Sequence, residues 1–172
     1  MRLRAFLFAV LLASLTAVCA NPPVSPADFD QLYPNLEKLY VDLHQAPELS
    51  LHEEKTSARL VSEIRALGYE VTPGVGGYGV VAILRNGTGP NVLLRTDTDA
   101  LPVEEKTGLP FASRVYTAEG TPVMHACGHD LHMTAWIGTA KWMASHKQQW
   151  TTFVYVLSWY LKPASMACRA LY

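Results

Sequence analysis

Eight consecutive residues, His125-Ala126-Cys127-Gly128-His129-Asp130-Leu131-His132, hold three histidines, a cysteine and an aspartate. Thiolate and imidazole are the side chains that zinc and similar borderline metals prefer. Cys127 and His129 stand two positions apart, so on an extended loop both can point the same way. Gly128 between them has no Cβ and leaves the backbone free to bend. Asp130 is placed to accept the ring N–H of a ligating histidine and fix its orientation. A buried cysteine beside a polar helix start would account for Cys-Gly-His alone. It does not account for His125, Asp130 and His132 as well, so metal binding is the stronger expectation.

A second set of polar residues, Thr96-Asp97-Thr98-Asp99-Ala100-Leu101-Pro102, follows an apolar run at 92–94. Two carboxylates two residues apart at a strand end fall on one side. Taken alone, capping of a turn explains them. Beside the later cluster, a metal-ligating or orienting role becomes the better reading for Asp97 and Asp99. Glu104-Glu105 reads as a solvated pair. The glycine-rich stretch Pro73-Gly74-Val75-Gly76-Gly77-Tyr78-Gly79 leads into a strand and not a helix, so it reads as a turn and not a phosphate loop.

These residues need a scaffold. Leu36, Leu39, Tyr40 and Leu43 keep helical spacing, and the helix should stop near His44, ahead of Ala46-Pro47. Ser50-Leu51-His52-Glu53 reads as a capping box opening a second helix to Leu67, with Ala58, Val61, Ile64 and Leu67 inward and Gly68 as its stop. Strands are expected at 69–72, 80–84, 91–95 and 152–157, with Asn86-Gly87 as a hairpin turn joining the second to the third. Residues 111–121 read as loop. A third helix is expected over 130–145, burying Met133, Trp136, Ile137 and Ala140. Helices alternating with strands predict an α/β sandwich with a mixed sheet.

The order and spacing of three motifs carry a resemblance. Asp42-Leu43-His44-Gln45-Ala46-Pro47-Glu48-Leu49-Ser50, Arg95-Thr96-Asp97-Thr98-Asp99-Ala100-Leu101-Pro102 and Met124-His125-Ala126-Cys127-Gly128-His129-Asp130-Leu131-His132 resemble the metal-dependent amidohydrolases of the aminoacylase/carboxypeptidase (zinc peptidase) family. The nearer branch holds hippurate hydrolases, N-acyl-amino-acid amidohydrolases and auxin-conjugate hydrolases. The resemblance implies hydrolysis of the amide bond of N-acyl amino acids or small peptides, with two divalent ions, zinc or manganese, and a glutamate as general base. Cys127 and His129 match metal-ligand positions, Asp99 matches the aspartate that orients the site, and Asp97 is its neighbour and a further candidate ligand. The implied fold is an incomplete three-layer α/β sandwich, the dimerisation domain of relatives being absent.

The resemblance also defines a departure. Relatives pass from the strand at 152–157 into a Gln-Pro-Ala-Glu-Glu segment that supplies the general base and another ligand. Here Ser158-Trp159-Tyr160-Leu161-Lys162-Pro163-Ala164-Ser165-Met166 follows, and no Asp or Glu occurs after Asp130. Residues 28–157 therefore read as the N-terminal part of a catalytic domain and 158–172 as a divergent tail, the product of a changed reading frame or a premature end. The expectation for the chain by itself is an inactive form; an exported, non-catalytic metal-binding protein is the alternative. An open sheet edge and exposed aromatics, Trp150 and Trp159 among them, are expected with it.

Residues 1–20 read as a secretory signal: Arg2 and Arg4, an apolar run over 6–15, and Val18-Cys19-Ala20 at the cleavage positions. Residues 21–27 read as a proline-rich linker, and the expected location is periplasmic or secreted, with no membrane attachment after signal removal. Balanced charge, 14 Lys+Arg against 15 Asp+Glu, gives no sign of a nucleic-acid partner. Cys127 and Cys168 lack Cys-x-x-Cys spacing, so a thiol redox module is the weakest reading.

Overall fold

The computed structural model describes residues 25–158 and, over 152–158, the backbone alone. The signal segment, most of the linker, Cys168 and the tail beyond Ser158 lie outside the described residues. After a short turn of helix, α1 (Ala27–Asp30), helix α2 runs over Tyr33–Gln45 and buries Leu39, Leu43 and His44. It ends where Ala46 precedes Pro47, as the backbone restriction before proline requires.

Helix α3 spans Glu54–Arg65. The capping box does not form. Leu51 has φ 68, a left-handed turn that separates Ser50 from the helix start, and the Ser50 hydroxyl has no partner among the described residues. The Glu48 carboxylate takes over, accepting the Lys55 and Thr56 amides at 3.1 and 2.7 Å. This satisfies first-turn donors that would otherwise be orphaned. The buried stripe is Thr56, Ser57, Leu60, Val61 and Ile64. Ala58, expected inward, is exposed, because the stripe through 57, 60, 61 and 64 leaves it on the outer side.

The sheet has the order β1-β2-β6-β3. Strands β1 (Glu70–Val75) and β2 (Gly79–Asn86) form an antiparallel hairpin across the glycine-rich turn, which confirms the turn reading. The expected hairpin between β2 and β3 (Asn91–Thr96) does not form. Strand β6 (Thr152–Ser158) lies between them, antiparallel to β2 and parallel to β3. The cause is local. The Asn86 amide donates to the carbonyls of Lys147 and Trp150, both at 2.6 Å, and holds the approach to β6 against the turn. A Cβ on Gly87 would stand 3.2 Å from Thr151, so the chain passes too close for a larger residue. Within the expected loop over 111–121 lies a short strand, β4 (Val115–Tyr116), paired with β5 (Pro122–Val123).

Helix α4 (His129–Ser145) closes the core. Its Met133, Trp136, Ile137 and Ala140 pack with Leu39 and Leu43 of α2, Leu60 and Ile64 of α3, and Ala82 and Leu84 of β2. A Cβ on Gly138 would stand 2.9 Å from Leu36, which sets how closely α2 and α4 approach. Trp150 is half-buried against this core and donates to the Met143 carbonyl at 3.1 Å, contrary to its expected exposure. Strand β3 is an edge of the described sheet and leaves Val92 and Leu93 49% and 57% exposed. The result is the expected mixed α/β sheet with a helical layer packed on the face of Ala82 and Leu84. Among the described residues no helix is long and apolar enough to cross a membrane.

Candidate metal centre

Backbone bonds stitch the three motifs together. The Ala100 amide donates to the Glu48 carbonyl at 2.8 Å, and Leu49 and Ala100 form a parallel bridge. Leu101 and Met124 exchange amide-to-carbonyl bonds of 2.9 and 3.1 Å. The end of β3 is thereby held between the segment after α2 and the segment before α4. At Gly128 the backbone turns left-handed, φ 73, and α4 begins at His129. Nothing stands within 4 Å of a Cβ built there, so the requirement for glycine is conformational and not one of space.

His129 is oriented by Asp99. Its Nδ1 lies 2.8 Å from the Asp99 carbonyl oxygen and 3.1 Å from Asp99 Oδ1. Both partners are acceptors, so Nδ1 carries the proton and the Nε2 lone pair remains for a metal. Cys127, two residues back, is an exposed free thiol. The His132 ring lies 6.0 Å from that of His129. Asp97 forms an ion pair with Arg95, so its carboxylate is already engaged by a guanidinium. Among the described residues no group of three or more His, Cys, Asp and Glu side chains is gathered to hold an ion. Cys127 and His129 therefore fit a zinc-type ion in kind, a thiolate and a pre-oriented imidazole. They supply about half of the four donors that a tetrahedral shell needs.

Asp130 does not take the role expected of it. Its Oδ2 lies 2.6 Å from Nδ1 of His44, and its other oxygen accepts the Leu131 amide. The far side of the same ring, Nε2 of His44, lies 3.1 Å from Glu105. Glu105 is not half of a solvated pair. It also accepts from the Thr107 hydroxyl and the Ser113 amide, and its side chain is fully shielded in the ion pair with His44. Glu104 is exposed, as expected, and pairs with Lys106. Tyr40 and Phe111 pack around the His44 ring. His44 stood inside a motif but carried no spacing to any partner, and Glu105 carried no signal at all; long-range contacts alone join them.

Burial pulls the His44 pKa down, but hydrogen bonds to Asp130 and Glu105 overcome it, and the net shift is upward from 6.5. Burial would raise Glu105, but bonds from Thr107, Ser113 and His44 bring it below its ordinary value. His125 is 5% exposed, with neither ring nitrogen partnered among the described residues. Burial pushes it down to about 4, so it is neutral at pH 7. The linkage signs follow. His44 stabilises the fold fully below its unfolded value of 6.5 and loses this as pH rises through its higher folded value. His125 and Glu105 act on the acid side: between about 4 and 6.5 the unfolded chain binds more protons at His125, and below 4.5 it does so at Glu105. The metal-free chain is therefore expected to be most stable near pH 6.5. Urea midpoints at several pH values check this; stability that keeps rising into the alkaline range would contradict it.

Comparison with known proteins gives one consistent neighbourhood. Residues 93–160 match the family model described as peptidase family M20/M25/M40. An N-acetyldiaminopimelate deacetylase of Ligilactobacillus salivarius is 43% identical over 123 residues, 70% of this chain and 31% of that protein. The hippurate hydrolase of Campylobacter jejuni is 38% identical over 129 residues, 74% of this chain and 31% of that protein. Among solved structures, the YXEP protein of Bacillus subtilis, described as a dinuclear metal binding peptidase from M20 family, superposes with a TM-score of 0.68. It is 33% identical, over 74% of this chain and 35% of that one. The chain spans about a third of the length of the curated relatives it matches.

Proposed function

The chain belongs to the peptidase family M20/M25/M40, and from that premise we propose that it carries the N-terminal half-site of a metal-dependent amidohydrolase acting on N-acyl amino acids or small peptides. The observation that carries the reading is the bond from His129 Nδ1 to Asp99, which leaves Nε2 free two residues from an unpaired thiol. Cys127 and His129 would hold the ion, zinc or manganese. A divalent ion in that position supplies Lewis-acid polarisation of an amide carbonyl. Asp99 keeps the His129 ring in its ligating tautomer and orientation. Asp97, paired with Arg95, contributes charge beside the site and is a ligand only if that pair opens. The deacetylase and hippurate hydrolase names of relatives support the substrate class.

Within these 172 residues no carboxylate follows Asp130, so the general base that the resemblance calls for is not supplied. We propose that these residues by themselves hold metal without turnover, with the exported metal-binding reading as the alternative. The basic and apolar residues over 1–20 support export to a periplasm or the outside. The test is metal content and hydrolysis of N-acetyl amino acids by the purified chain, beside Cys127→Ser. Bound metal lost in Cys127→Ser, with no hydrolysis, is expected. Turnover restored by added zinc or manganese would contradict the inactive reading, and metal retained by Cys127→Ser would contradict the half-site.

A further inference from the structure

A separate feature lies at the end of β3, where Thr98 lines a small cavity. Between the turn after Leu49, the β1–β2 turn and the β3 end is a cavity of roughly 70 Å³, lined by Leu51, Glu53, Gly76, Gly77, Tyr78, Gly79 and Thr98. That is room for about two water-sized particles. Glu53 is 2% exposed, and its Oε1 is buried with no hydrogen-bond partner among the described residues. An unpartnered buried carboxylate oxygen is among the most costly features a fold can carry.

No cation acts on Glu53 among the described residues. Burial raises its pKa, the backbone amides of Glu53 and Leu51 offset this in part, and the charged groups acting on it, Asp99 and Glu48, are both carboxylates. The first-turn amides of α3, which would favour an anion, are taken at Lys55 and Thr56 by Glu48. The cavity is also held open by unusual backbone. Leu51 has φ 68, a strained conformation for a branched apolar residue. Gly76 and Gly77, at φ 66 and 119, adopt conformations that side chains disfavour, and no Cβ from either fills the space.

From the cavity, the orphaned oxygen and the local negative charge, we infer that Glu53 forms the anionic wall of a binding site for a small monovalent cation, such as potassium or ammonium. The chemistry selects that class. Among the lining residues Glu53 is the one carboxylate, and Thr98 and the glycines at 76, 77 and 79 bring only neutral oxygens. One negative charge with neutral oxygens balances one positive charge. A divalent ion beside a single carboxylate would keep a surplus positive charge, and magnesium also demands a rigid octahedron. A water could donate to Oε1 but would leave the charge in place. Since Thr98 precedes the aspartate that orients His129, an ion here also braces that turn from behind.

The test compares thermal midpoints of the full chain in potassium, ammonium and choline chlorides at equal ionic strength. All are measured after removal of divalent metal, so failure of the metal-centre reading does not affect the outcome. A bound ion present at several times its Kd raises the midpoint by about 2–4 °C for a chain of this size, and choline, too large for the cavity, does not. Glu53→Gln is expected to abolish the difference. A rubidium-soaked crystal, with anomalous signal in the cavity, gives the same answer without a variant. Equal midpoints in all three salts, a response that persists in Glu53→Gln, or a rubidium-free cavity holding only water would each overturn the proposal.

Discussion

Replacing His44 with alanine is expected to lower the stability of the chain by about 3–5 kcal/mol, the cost typical of removing one partner from a buried ion pair. The variant leaves Asp130 and Glu105 facing each other across a cavity. Asp130 is 2% exposed, so its charge has no solvent to turn to. The ring is also packed by Tyr40 and Phe111, so the loss includes aromatic contact as well as charge. Two signatures separate this from simple cavity formation. The alkaline decline in stability assigned to His44 should vanish in the variant. Adding Asp130→Ala to His44→Ala should cost less than Asp130→Ala alone, because the pair is lost together. Additive losses in urea denaturation, or an unchanged alkaline limb, would show that the three groups do not act as one unit.

Asp99→Ala is expected to weaken zinc binding by about 10–100-fold, the range seen when a group orienting a ligating histidine is removed. The Asp99 carbonyl still accepts from Nδ1 at 2.8 Å in the variant, so the tautomer survives and the value should fall near the lower end. What is lost is the carboxylate, 3.1 Å from the same nitrogen, which holds the ring angle and raises the basicity of Nε2. Asp99→Asn keeps an acceptor and should lose less. Competition with a chromophoric chelator measures the affinities, and an unchanged thermal midpoint in the metal-free variants shows that the fold is not the cause. Wild-type affinity in Asp99→Ala would remove Asp99 from the site.

The parts of this molecule that were legible in its sequence are those set by short-range pattern. Helical spacing in α2 and α4, the stop before Pro47 and the turn at Gly76 to Tyr78 were all found where local chemistry places them. The eight-residue cluster and the aspartates after β3 stand out by residue type and spacing, and the structure brings one pair of them together, Asp99 and His129. What failed depended on distant chain. Asn86-Gly87 has the composition of a tight hairpin, yet the Asn86 side chain bonds residues some sixty positions on, and β6 fills the slot. Ser50 looked like a cap because the left-handed turn at Leu51 carries no sequence mark. The expectation that Asp130 orients a ligating histidine fails because its neighbour in sequence, His129, faces Asp99, while Asp130 reaches His44 across the core. Glu105 belongs to a charged pair in a loop, which as a rule is solvated, and only its long-range contact with His44 takes it inside.

X-ray absorption at the zinc edge of the zinc-loaded chain tests the central claim, that Cys127 and His129 hold the ion together. The account predicts one sulfur at about 2.3 Å and one imidazole nitrogen at about 2.0–2.1 Å, with solvent oxygens completing the shell, and loss of the sulfur in Cys127→Ser. A shell of nitrogen and oxygen alone in the unaltered chain would contradict it.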